Sequence, residues 1–267
     1  MTHAKTALIT GAGSGIGRAL ALEAARRGYR LILVGRRREA LEETAAQLKT
    51  EVTLVAADVT TEDGRRAIAE AAGNRLDMLV NNAGTLSVGH LRDMDDASLE
   101  RMAATNLVAP MALTRDLLPA LRAAKGRIAN IGSVFGDIAY PFFAAYSATK
   151  FGLRGFSDAL RRELSGSGIG VTYIAPRATR TAAEAEFAAL VEPLGMTLDS
   201  AERVAREAWD AIEAGRRESF PRGKERFFVK VQRLFPALVD KSVGAQARDA
   251  RTLRALEPRK QGVSPRA

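Results

Sequence analysis

Short apolar segments alternate with longer segments of helical periodicity along most of the chain. The apolar segments are rich in Val, Ile, Leu and Ala, as in strands that are buried on both faces of a sheet. They predict strands over 6–10, 30–34, 52–57, 76–82, 127–133 and 170–176. The segments between them predict helices over 16–28, 38–49, 61–72, 97–122 and 145–164.

This alternation predicts how the sheet is built. Strands connected through helices pair in parallel, by right-handed crossovers that place helices on both faces. The predicted fold class is therefore α/β, a doubly wound parallel sheet within one domain of residues 1–222. Residues 177–200 lack a strand pattern and follow the sixth strand, at the edge of the sheet where ligands bind. A mobile lid and an ordinary surface excursion are equally compatible with that segment.

The first strand leads into a glycine-rich turn, TGAGSGIG, at residues 10–17. Its glycines follow the pattern G-x-x-x-G-x-G at the junction between a predicted strand and a predicted helix. Glycines allow a tight turn and a close approach of the backbone to a ligand, and amides at the helix N-terminus receive a pyrophosphate. The turn predicts dinucleotide binding through Gly11, Ser14, Gly15, Ile16 and Gly17.

The end of the second strand distinguishes between the two nicotinamide cofactors. An Asp or Glu at this point would bind the ribose 2′-hydroxyl of NAD, whereas arginines suit the 2′-phosphate of NADP. The sequence there is VGRRR, which places Arg36 and Arg37 beside the predicted cofactor. Arginines at the start of a helix oppose the helix dipole, which disfavours a purely structural role. The predicted cofactor is NADP(H).

Three further motifs stand at the ends of predicted strands: NNAG at 81–84, NIGS at 130–133 and YSATK at 146–150. Together with TGAGSGIG, and in this order, they resemble the short-chain dehydrogenase/reductase family over about residues 5–181. The resemblance implies a single-domain Rossmann fold and an NAD(P)-dependent oxidoreductase. It also implies that Ser133, Tyr146 and Lys150 are catalytic. By the same resemblance, Asn106 supports them by holding a water that joins Lys150 to solvent.

The chemistry of these residue types agrees with that role. Tyr146 and Lys150 are four residues apart on a predicted helix, so their side chains meet on one face. A free phenol has a pKa near ~10, and we expect the lysine ammonium and an oxidised nicotinamide to lower it. The phenol can then protonate a carbonyl oxygen, or accept the alcohol proton in the reverse direction. Ser133 can donate a hydrogen bond to the same oxygen.

The remaining cofactor contacts are predicted at the third, fourth and sixth strand ends. By the resemblance, Asp58 meets the adenine amino group, with helix capping as the alternative, and Val59 lies beside it. We expect Asn81 to bridge neighbouring strands. The set of predicted contacts is completed by Asn82, Ala83, Gly84, Pro176, Thr179 and Thr181, together with Tyr146 and Lys150.

The sequence PRATRT at 176–181 departs from the usual pattern of the family. Arg177 stands where the family carries Gly, so either the position has a negative φ or the loop is shifted. The change leaves open which residues hold the nicotinamide carboxamide. Arg177 and Arg180 are expected to be solvated, with contact to an anionic group of substrate or cofactor as the alternative.

Composition and charge exclude several classes of function. No cysteine is present, and His3 and His90 are the only histidines, so neither a disulfide nor a metal site is predicted. The N-terminus has no signal-peptide pattern and no apolar segment is long enough to span a membrane, which predicts a cytoplasmic protein. The net charge of +9 lies entirely in residues 216–267, which hold 14 Lys and Arg against 5 Asp and Glu. Because no motif for sequence-specific nucleic-acid recognition accompanies this charge, nucleic acid is not a predicted partner.

Residues 223–267 are predicted to form a basic, partly amphipathic helical extension. Its predicted apolar stripe consists of Phe227, Val231, Leu234 and Leu238. The basic residues elsewhere on the helical wheel are Lys224, Arg226, Lys230 and Arg233. Pro236 is expected to kink or split the helix. Residues 223–243 have three possible partners. They are the protein's own domain or a sister subunit, a membrane surface, which would make the protein membrane-associated, and an acidic protein such as an acyl carrier.

The substrate is less well defined than the reaction. The aromatic segment FGDIAYPFF at 135–143 suits an apolar substrate pocket as well as it suits a core or a dimer interface. By the resemblance, the helices that carry Asn106 and Tyr146 form a homodimer or homotetramer. The predicted function is hydride transfer between NADP(H) and the carbonyl or secondary alcohol of a small-molecule substrate, an apolar ketone, acyl or steroid-like compound. The alternatives are a 3-oxoacyl-carrier-protein reductase and a non-catalytic NADP-sensing interaction protein.

Overall fold

A computed structural model describes residues 4–223 and 225–256. His3, Lys224 and residues 257–267 of the predicted extension lie outside the described residues. Six strands occur where the sequence predicts them: β1 (Thr6–Thr10), β2 (Arg30–Gly35), β3 (Val52–Ala56), β4 (Met78–Asn81), β5 (Arg127–Ile131) and β6 (Gly170–Ile174). Three strands of two residues follow, β7 (Thr179–Arg180), β8 (Asp199–Ser200) and β9 (Glu218–Ser219).

The central sheet has seven parallel strands in the order β3-β2-β1-β4-β5-β6-β9. This confirms the predicted single-domain α/β fold with a doubly wound parallel sheet. The sequence does not predict β9, because only two polar residues pair there, at the edge of the sheet. The strand order reverses between β1 and β4, and in such sheets the ligand crevice lies outside the carboxyl ends of the strands at that point.

Helices cover both faces of the sheet. They are α1 (Gly15–Arg26), α2 (Arg38–Ala45), α3 (Glu62–Ala72), α4 (Asp96–Ala103), α5 (Ala109–Ala124), α6 (Ala144–Glu163), α7 (Ala188–Val191), α8 (Ala201–Glu213), α9 (Glu225–Leu234), α10 (Pro236–Ala247) and α11 (Ala250–Leu256). Helices α1, α2 and α8 bury apolar residues on one face, and α3, α5 and α6 on the other. Trp209 of α8 is fully buried and donates its Nε1–H to the Leu20 carbonyl of α1 at 3.0 Å.

The segment after β6 is more ordered than its sequence pattern indicates. Within residues 177–200, β7 pairs in parallel with β8, and α7 lies between them. The Ser200 side chain then caps α8 by accepting the Arg203 N–H. Two strands therefore occur in a segment that has no strand pattern, because two-residue strands are too short to leave one in the sequence.

The C-terminal extension consists of separate helices. Pro236 begins α10 and α9 ends at Leu234, so the helix splits as predicted. Val229 of α9 and Val239 of α10 are buried in a cluster with Ile138, which follows β5. In the part of the chain that the structure describes, no helix is long and apolar enough to cross a membrane.

Most members of the predicted apolar stripe are not buried against the rest of the chain. Three of them are largely exposed, with relative accessibilities of 65% for Phe227, 71% for Leu234 and 62% for Leu238. Because the chain splits at Pro236, α9 and α10 each pack with a face of their own, which buries Val229 and Val239. Of the four predicted residues, only Val231 packs against the buried cluster of Val229 and Val239.

Candidate active site

A cleft of about 750 Å³ lies at the carboxyl ends of the strands. The predicted cofactor and catalytic residues that line it are Gly11, Ser14, Gly15, Ile16, Gly17, Arg36, Arg37, Asp58, Val59, Asn82, Ala83, Gly84, Ser133, Tyr146, Lys150, Pro176, Thr179 and Thr181. Of the predicted site residues, Asn106 alone does not line the cleft. It lies behind the wall, hydrogen-bonded to the backbone of Thr85, which does.

The glycine-rich turn has the geometry of an anion-binding cradle. Gly11 and Gly15 have positive φ angles of 66° and 53°, a conformation that residues with a Cβ atom rarely adopt. A Cβ atom at Gly17 would lie 2.0 Å from the Gly11 carbonyl oxygen, so the start of α1 fits against the turn only as glycine. No acidic residue occupies the first turn of α1, which leaves the positive end of its dipole facing the cleft. These residues fit the pyrophosphate of a dinucleotide.

The segment after β6 closes over this turn. A Cβ atom at Gly15 would lie 3.1 Å from Cγ2 of Thr181, which places Thr181 directly opposite the start of α1. Thr179 is buried and donates its hydroxyl to the Arg177 carbonyl at 2.8 Å. The Pro176 carbonyl accepts the Val134 N–H at 3.0 Å. This last bond connects the segment to the loop that carries the predicted catalytic serine.

The second strand end presents unpaired positive charge to the cleft. Arg36 and Arg37 are exposed and line it, and neither forms a salt bridge within the described residues. Asp58 accepts both the N–H and the hydroxyl of Thr60 at 2.9 and 2.7 Å. Burial opposes its ionisation, but these bonds and the nearby Arg36 leave the pKa of Asp58 below its usual value. Asp58 therefore stabilises the turn before α3 while it also faces the cleft.

Ser133, Tyr146 and Lys150 meet at the centre of the cleft. Ser133 follows β5 and accepts the Phe135 N–H at 3.1 Å. Tyr146 and Lys150 stand one turn apart on α6, and the Lys150 Nζ lies 5.5 Å from the centre of the Tyr146 ring. Lys150 is buried and donates to the Ile131 carbonyl at 3.0 Å, which holds its side chain under the end of β5. The i, i+4 spacing thus brings the two side chains together as the sequence predicts.

The pKa values of these side chains differ from the sequence-based expectation. Burial raises the pKa of Tyr146 to about 12, although the Ser133 hydroxyl beside it lowers it in part. Burial lowers the pKa of Lys150 to about 8. In the protein without cofactor, surroundings that exclude water disfavour both charged forms, and this outweighs the lowering expected from the lysine. Tyr146 is therefore a neutral phenol, a state in which it can donate a proton. The lowering expected from an oxidised nicotinamide stays a prediction.

Asn106 lies in a π-helical turn, Ala104–Val108, between α4 and α5. Its side chain is buried, accepts the Thr85 N–H at 2.8 Å, and donates to the Thr85 carbonyl at 2.8 Å and the Thr149 hydroxyl at 3.2 Å. Such turns insert one residue into a helix and are frequent at functional sites. Asn106 thereby fixes the loop after β4 to the helix that carries Tyr146.

The two asparagines of NNAG join neighbouring strands. The Asn81 amide donates to Asn130 Oδ1 of β5 at 2.8 Å, the bridging role expected for it. The Asn82 amide donates to the Thr10 carbonyl at 2.8 Å, and the Ala83 N–H donates to the Thr10 hydroxyl at 2.9 Å. The loop after β4 is thereby fixed to the end of β1, beside the glycine-rich turn.

A second buried tyrosine supports the site, and the sequence analysis does not identify it. Tyr173 of β6 accepts the Ser133 N–H at 3.3 Å and donates to the Ser133 carbonyl at 3.2 Å. A Cβ atom at Gly132 would lie 2.2 Å from the Tyr173 hydroxyl, so glycine is required there. The signal that could have identified Tyr173 is a polar aromatic residue within an otherwise apolar buried strand, since a buried phenol needs a partner.

Arg177 is not solvated, which corrects the sequence-based expectation. Its side chain is 11% exposed, and it donates to Asp199 Oδ1 at 2.8 Å and to Glu225 Oε1 at 3.0 Å. Among the described non-glycine residues, only Lys125 and Phe142 have a positive φ, so this position accepts an arginine without left-handed strain. Arg177 therefore joins the segment after β6 to the start of α9. Arg180 is exposed, as expected.

A parallel sheet with a glycine-rich turn at its switch point and a Ser–Tyr–Lys set at the strand ends defines a nucleotide-binding oxidoreductase. The sequence pattern of the short chain dehydrogenase family matches residues 5–190. The chain belongs to the short-chain dehydrogenase/reductase family. It is an oxidoreductase of this family, whose members act on CH–OH and C=O groups with a nicotinamide cofactor.

Relatives and solved structures agree with this assignment. Nodulation protein G of Rhizobium sp. (strain N33) is 40% identical over 176 residues, which cover 64% of this chain and 72% of that protein. 11-beta-hydroxysteroid dehydrogenase A of Sesamum indicum is 37% identical over 180 residues, covering 64% of this chain and 51% of that protein. A short-chain dehydrogenase from Sphingobium yanoikuyae in complex with NADPH superimposes with a TM-score of 0.73 at 29% identity, covering 92% and 96% of the two chains. For 3-ketoacyl-(acyl-carrier-protein) reductase from Brucella melitensis complexed with NADH, the TM-score is 0.74 at 28% identity, covering 79% of this chain and 92% of that one.

Proposed function

We propose that the protein is an NADP(H)-dependent oxidoreductase that interconverts an apolar ketone and the corresponding secondary alcohol. The observation that carries the proposal is the meeting of Ser133, Tyr146 and Lys150 in a cleft whose other end holds the glycine-rich turn and Arg36. The preference for NADP(H) is supported by Arg36 and Arg37, which face the cleft with no carboxylate partner within the described residues. It is also supported by the NADPH complex of the structural relative from Sphingobium yanoikuyae.

Each residue of the site has a different role in carbonyl reduction. When bound, the nicotinamide supplies or accepts the hydride. The Ser133 hydroxyl donates a hydrogen bond to the carbonyl oxygen and so stabilises the negative charge that develops there. The Tyr146 phenol, neutral because its pKa is about 12, transfers its proton to that oxygen. Lys150 stands beside the ring and stabilises the phenolate that remains.

The alternative 3-oxoacyl-carrier-protein reductase shares this chemistry and differs in substrate. It is favoured by the similarity to the Brucella melitensis reductase and by the basic C-terminal helices, which would suit an acidic carrier. A non-catalytic NADP-sensing protein would not need all three of Ser133, Tyr146 and Lys150. The complete set therefore counts against the sensor, and the choice of substrate distinguishes the two reductases.

The test is oxidation of NADPH and of NADH with a panel of free ketones and of acyl thioesters on a carrier protein. We expect turnover of apolar ketones with NADPH and much weaker turnover with NADH. Turnover of the thioesters alone would favour the reductase of acyl carriers. Binding of NADPH without turnover of any compound would favour the sensor and contradict the proposal.

A homodimer or homotetramer remains part of the proposal. Its support is a set of exposed apolar side chains where α5 begins and on α6: Val108 is 57% exposed, Met111 43% and Phe151 41%. Light scattering coupled to gel filtration should show more than one copy per particle, and Val108→Glu should reduce that number. Leu253→Glu, at a 42% exposed residue of α11, is the matched control. A monomeric wild-type protein would contradict this part of the proposal.

Peripheral contact with an anionic lipid surface is supported by the outer face of α9 and α10. Its exposed apolar residues are Phe227, Phe228, Leu234, Phe235 and Leu238. Exposed basic residues accompany them at Arg226, Lys230 and Lys241, which matches the charge of anionic headgroups. In a flotation experiment, the wild-type protein should rise with anionic vesicles, whereas a variant with both Phe227→Ser and Phe235→Ser should stay in the bottom fraction. Leu91→Ser serves as the control. Absence of wild-type flotation would contradict the contact.

A further inference from the structure

A second cavity, here called the apolar chamber, lies beside the catalytic cleft and has a volume of about 350 Å³. Helices α9 and α10 form its roof, and the loop after β5 forms its floor. Its apolar walls include Ile138, Tyr140, Phe228, Val231, Val239 and Val243. Cavities of this size and composition are typical of binding sites for small apolar molecules.

The apolar chamber adjoins the catalytic cleft. Val134, Phe135, Arg177, Ala178 and Met196 line both cavities. The Phe135 ring contacts the Tyr146 ring edge-on, with centroids 6.4 Å apart, and stacks on Tyr140 at 5.0 Å. A substrate whose carbonyl reaches Tyr146 would therefore have its apolar part directed past Phe135 into the chamber.

Buried ion pairs hold the start of α9, which forms part of the roof of the chamber. Arg177, which forms part of the wall, bonds to Glu225 at the start of α9 at 3.0 Å. The same guanidinium bonds to Asp199 of β8 at 2.8 Å, so the segment after β6 and α9 are held by one side chain. These two bonds fix the start of α9 to the segment after β6, which lines both the chamber and the cleft.

A second ion-pair cluster holds the other end of α9. Asp137, with a side chain 2% exposed, accepts Arg233 of α9 at 2.9 Å and Arg154 of α6 at 2.7 Å. Arg154 also donates to Glu218 of β9 at 2.7 Å. Asp137 follows the Ser133 loop, and Arg154 is on the helix of Tyr146. The roof of the chamber is thus attached to the same two elements that carry the catalytic residues.

We propose that the apolar chamber receives the elongated apolar part of the substrate, so that α9 and α10 select extended lipophilic ketones and alcohols over small ones. The proposal rests on the carbonyl reduction proposed above. At roughly 30 Å³ for each water-sized group, the chamber holds about ten methylene-sized groups. Phe228 and Leu238 line the chamber and are also exposed, so it opens on the outer face of the two helices.

The first experiment measures kcat/KM for methyl ketones from acetone to chains roughly ten carbons longer, with NADPH. Each methylene buried in the chamber should raise kcat/KM about threefold to fourfold, until the chamber is full and the value levels off. A series with no dependence on chain length would overturn the proposal. Failure of every ketone, short or long, would instead count against the proposed function.

The second experiment fills the chamber. Val243 lines it and is only partly buried, so Val243→Phe should add bulk inside without disrupting the core. The variant should lower kcat/KM for the longest ketone at least tenfold and leave acetone within about twofold, because only the long chain needs the chamber. Leu234→Phe, at a 71% exposed residue that does not line the chamber, should change neither value. Equal effects of Val243→Phe on short and long ketones would overturn the proposal.

A binding measurement tests the proposed role of the chamber even if no ketone is turned over. Calorimetric titration of the longest ketone should give saturable binding to the wild-type protein and at least tenfold weaker binding to Val243→Phe. Thermal unfolding of the variant, compared with the wild type, shows whether it is folded, and Val231→Phe provides a second filled variant. Equal binding to the wild-type protein and to folded variants would contradict the assignment of the chamber.

Discussion

The two ends of the catalytic cleft are built by different means. The end beside α1 consists of a glycine-rich turn, backbone amides and two arginines that follow a strand directly, all close together in sequence. The opposite end is formed by the loop after β5 and the segment after β6. Beyond it, helices α9 and α10 line the apolar chamber, and buried ion pairs hold all of these segments together. The comparison teaches that the proposed cofactor end depends on local backbone geometry, whereas the proposed substrate end depends on contacts between distant segments.

The largest expected effect is on the chemistry that lies between the two ends. Replacement of Tyr146 by Phe removes only the proton donor, so turnover should fall about 10²- to 10⁴-fold. Because the glycine-rich turn and the arginines stay in place, the affinity for NADPH, measured by fluorescence titration, should change much less than turnover. Tyr140→Phe is the matched control, since Tyr140 lines the apolar chamber and does not touch the reacting oxygen. Near wild-type turnover of Tyr146→Phe would show that another group donates the proton.

The second prediction tests the ion pairs of the substrate end. Arg177→Met removes one partner from the carboxylates of Asp199 and Glu225, which are 4% and 16% exposed, while Asp199 keeps Arg203 at 3.2 Å. The free energy of unfolding should therefore fall by about 1.5–3 kcal/mol. Urea denaturation measures this change, and hydrogen exchange should show the loss of protection in residues 177–200 and α9 before the sheet. Arg180→Met, at an exposed neighbour, should have little effect. Uniform loss of protection across the sheet would contradict the idea that the two ends are stabilised separately.

The third prediction tests the cofactor end. Arg36→Ala removes a charge-assisted contact to the 2′-phosphate, so the Kd for NADPH should rise about ten- to hundredfold while the Kd for NADH changes little. Arg38→Ala is the control, because Arg38 stands next in the run but pairs with Glu42 at 3.7 Å. An equal rise in the Kd for both cofactors in Arg36→Ala would mean that Arg36 does not contact the 2′-phosphate.

The smallest expected effect is that of pH on ketone reduction. With a pKa of about 12, Tyr146 remains protonated throughout the neutral range, so kcat/KM for reduction should be flat from about pH 6 to about pH 8. Alcohol oxidation needs the phenolate, whose fraction rises about tenfold per pH unit below the pKa, and its kcat/KM should rise accordingly. Below about pH 8 Lys150 keeps its charge, so this interval reports the phenol. A bell-shaped profile for reduction in this interval would identify a different acid.

The agreement between sequence and structure follows the same division. The alternation of apolar segments predicts six strands in place, and the glycines at 10–17 predict a tight turn, in which Gly11 and Gly15 have positive φ angles. The pattern does not predict β9 or the support of Ser133 by Tyr173, because both depend on residues about forty positions apart in the chain. Arg177 was expected in solvent, since its partner Glu225 lies 48 residues further on.

The sequence alone thus determines the fold class, the glycine-rich turn, and the pairing of Tyr146 with Lys150, because each depends on residues within a few positions of one another. Tertiary structure decided the rest. Burial raised the pKa of the phenol to about 12 where the lysine alone suggested the opposite. Packing placed α9 and α10, whose contact the sequence left open, over the apolar chamber. Desolvation and long-range contacts depend on what the folded chain places around a residue, which its immediate neighbours in sequence do not specify.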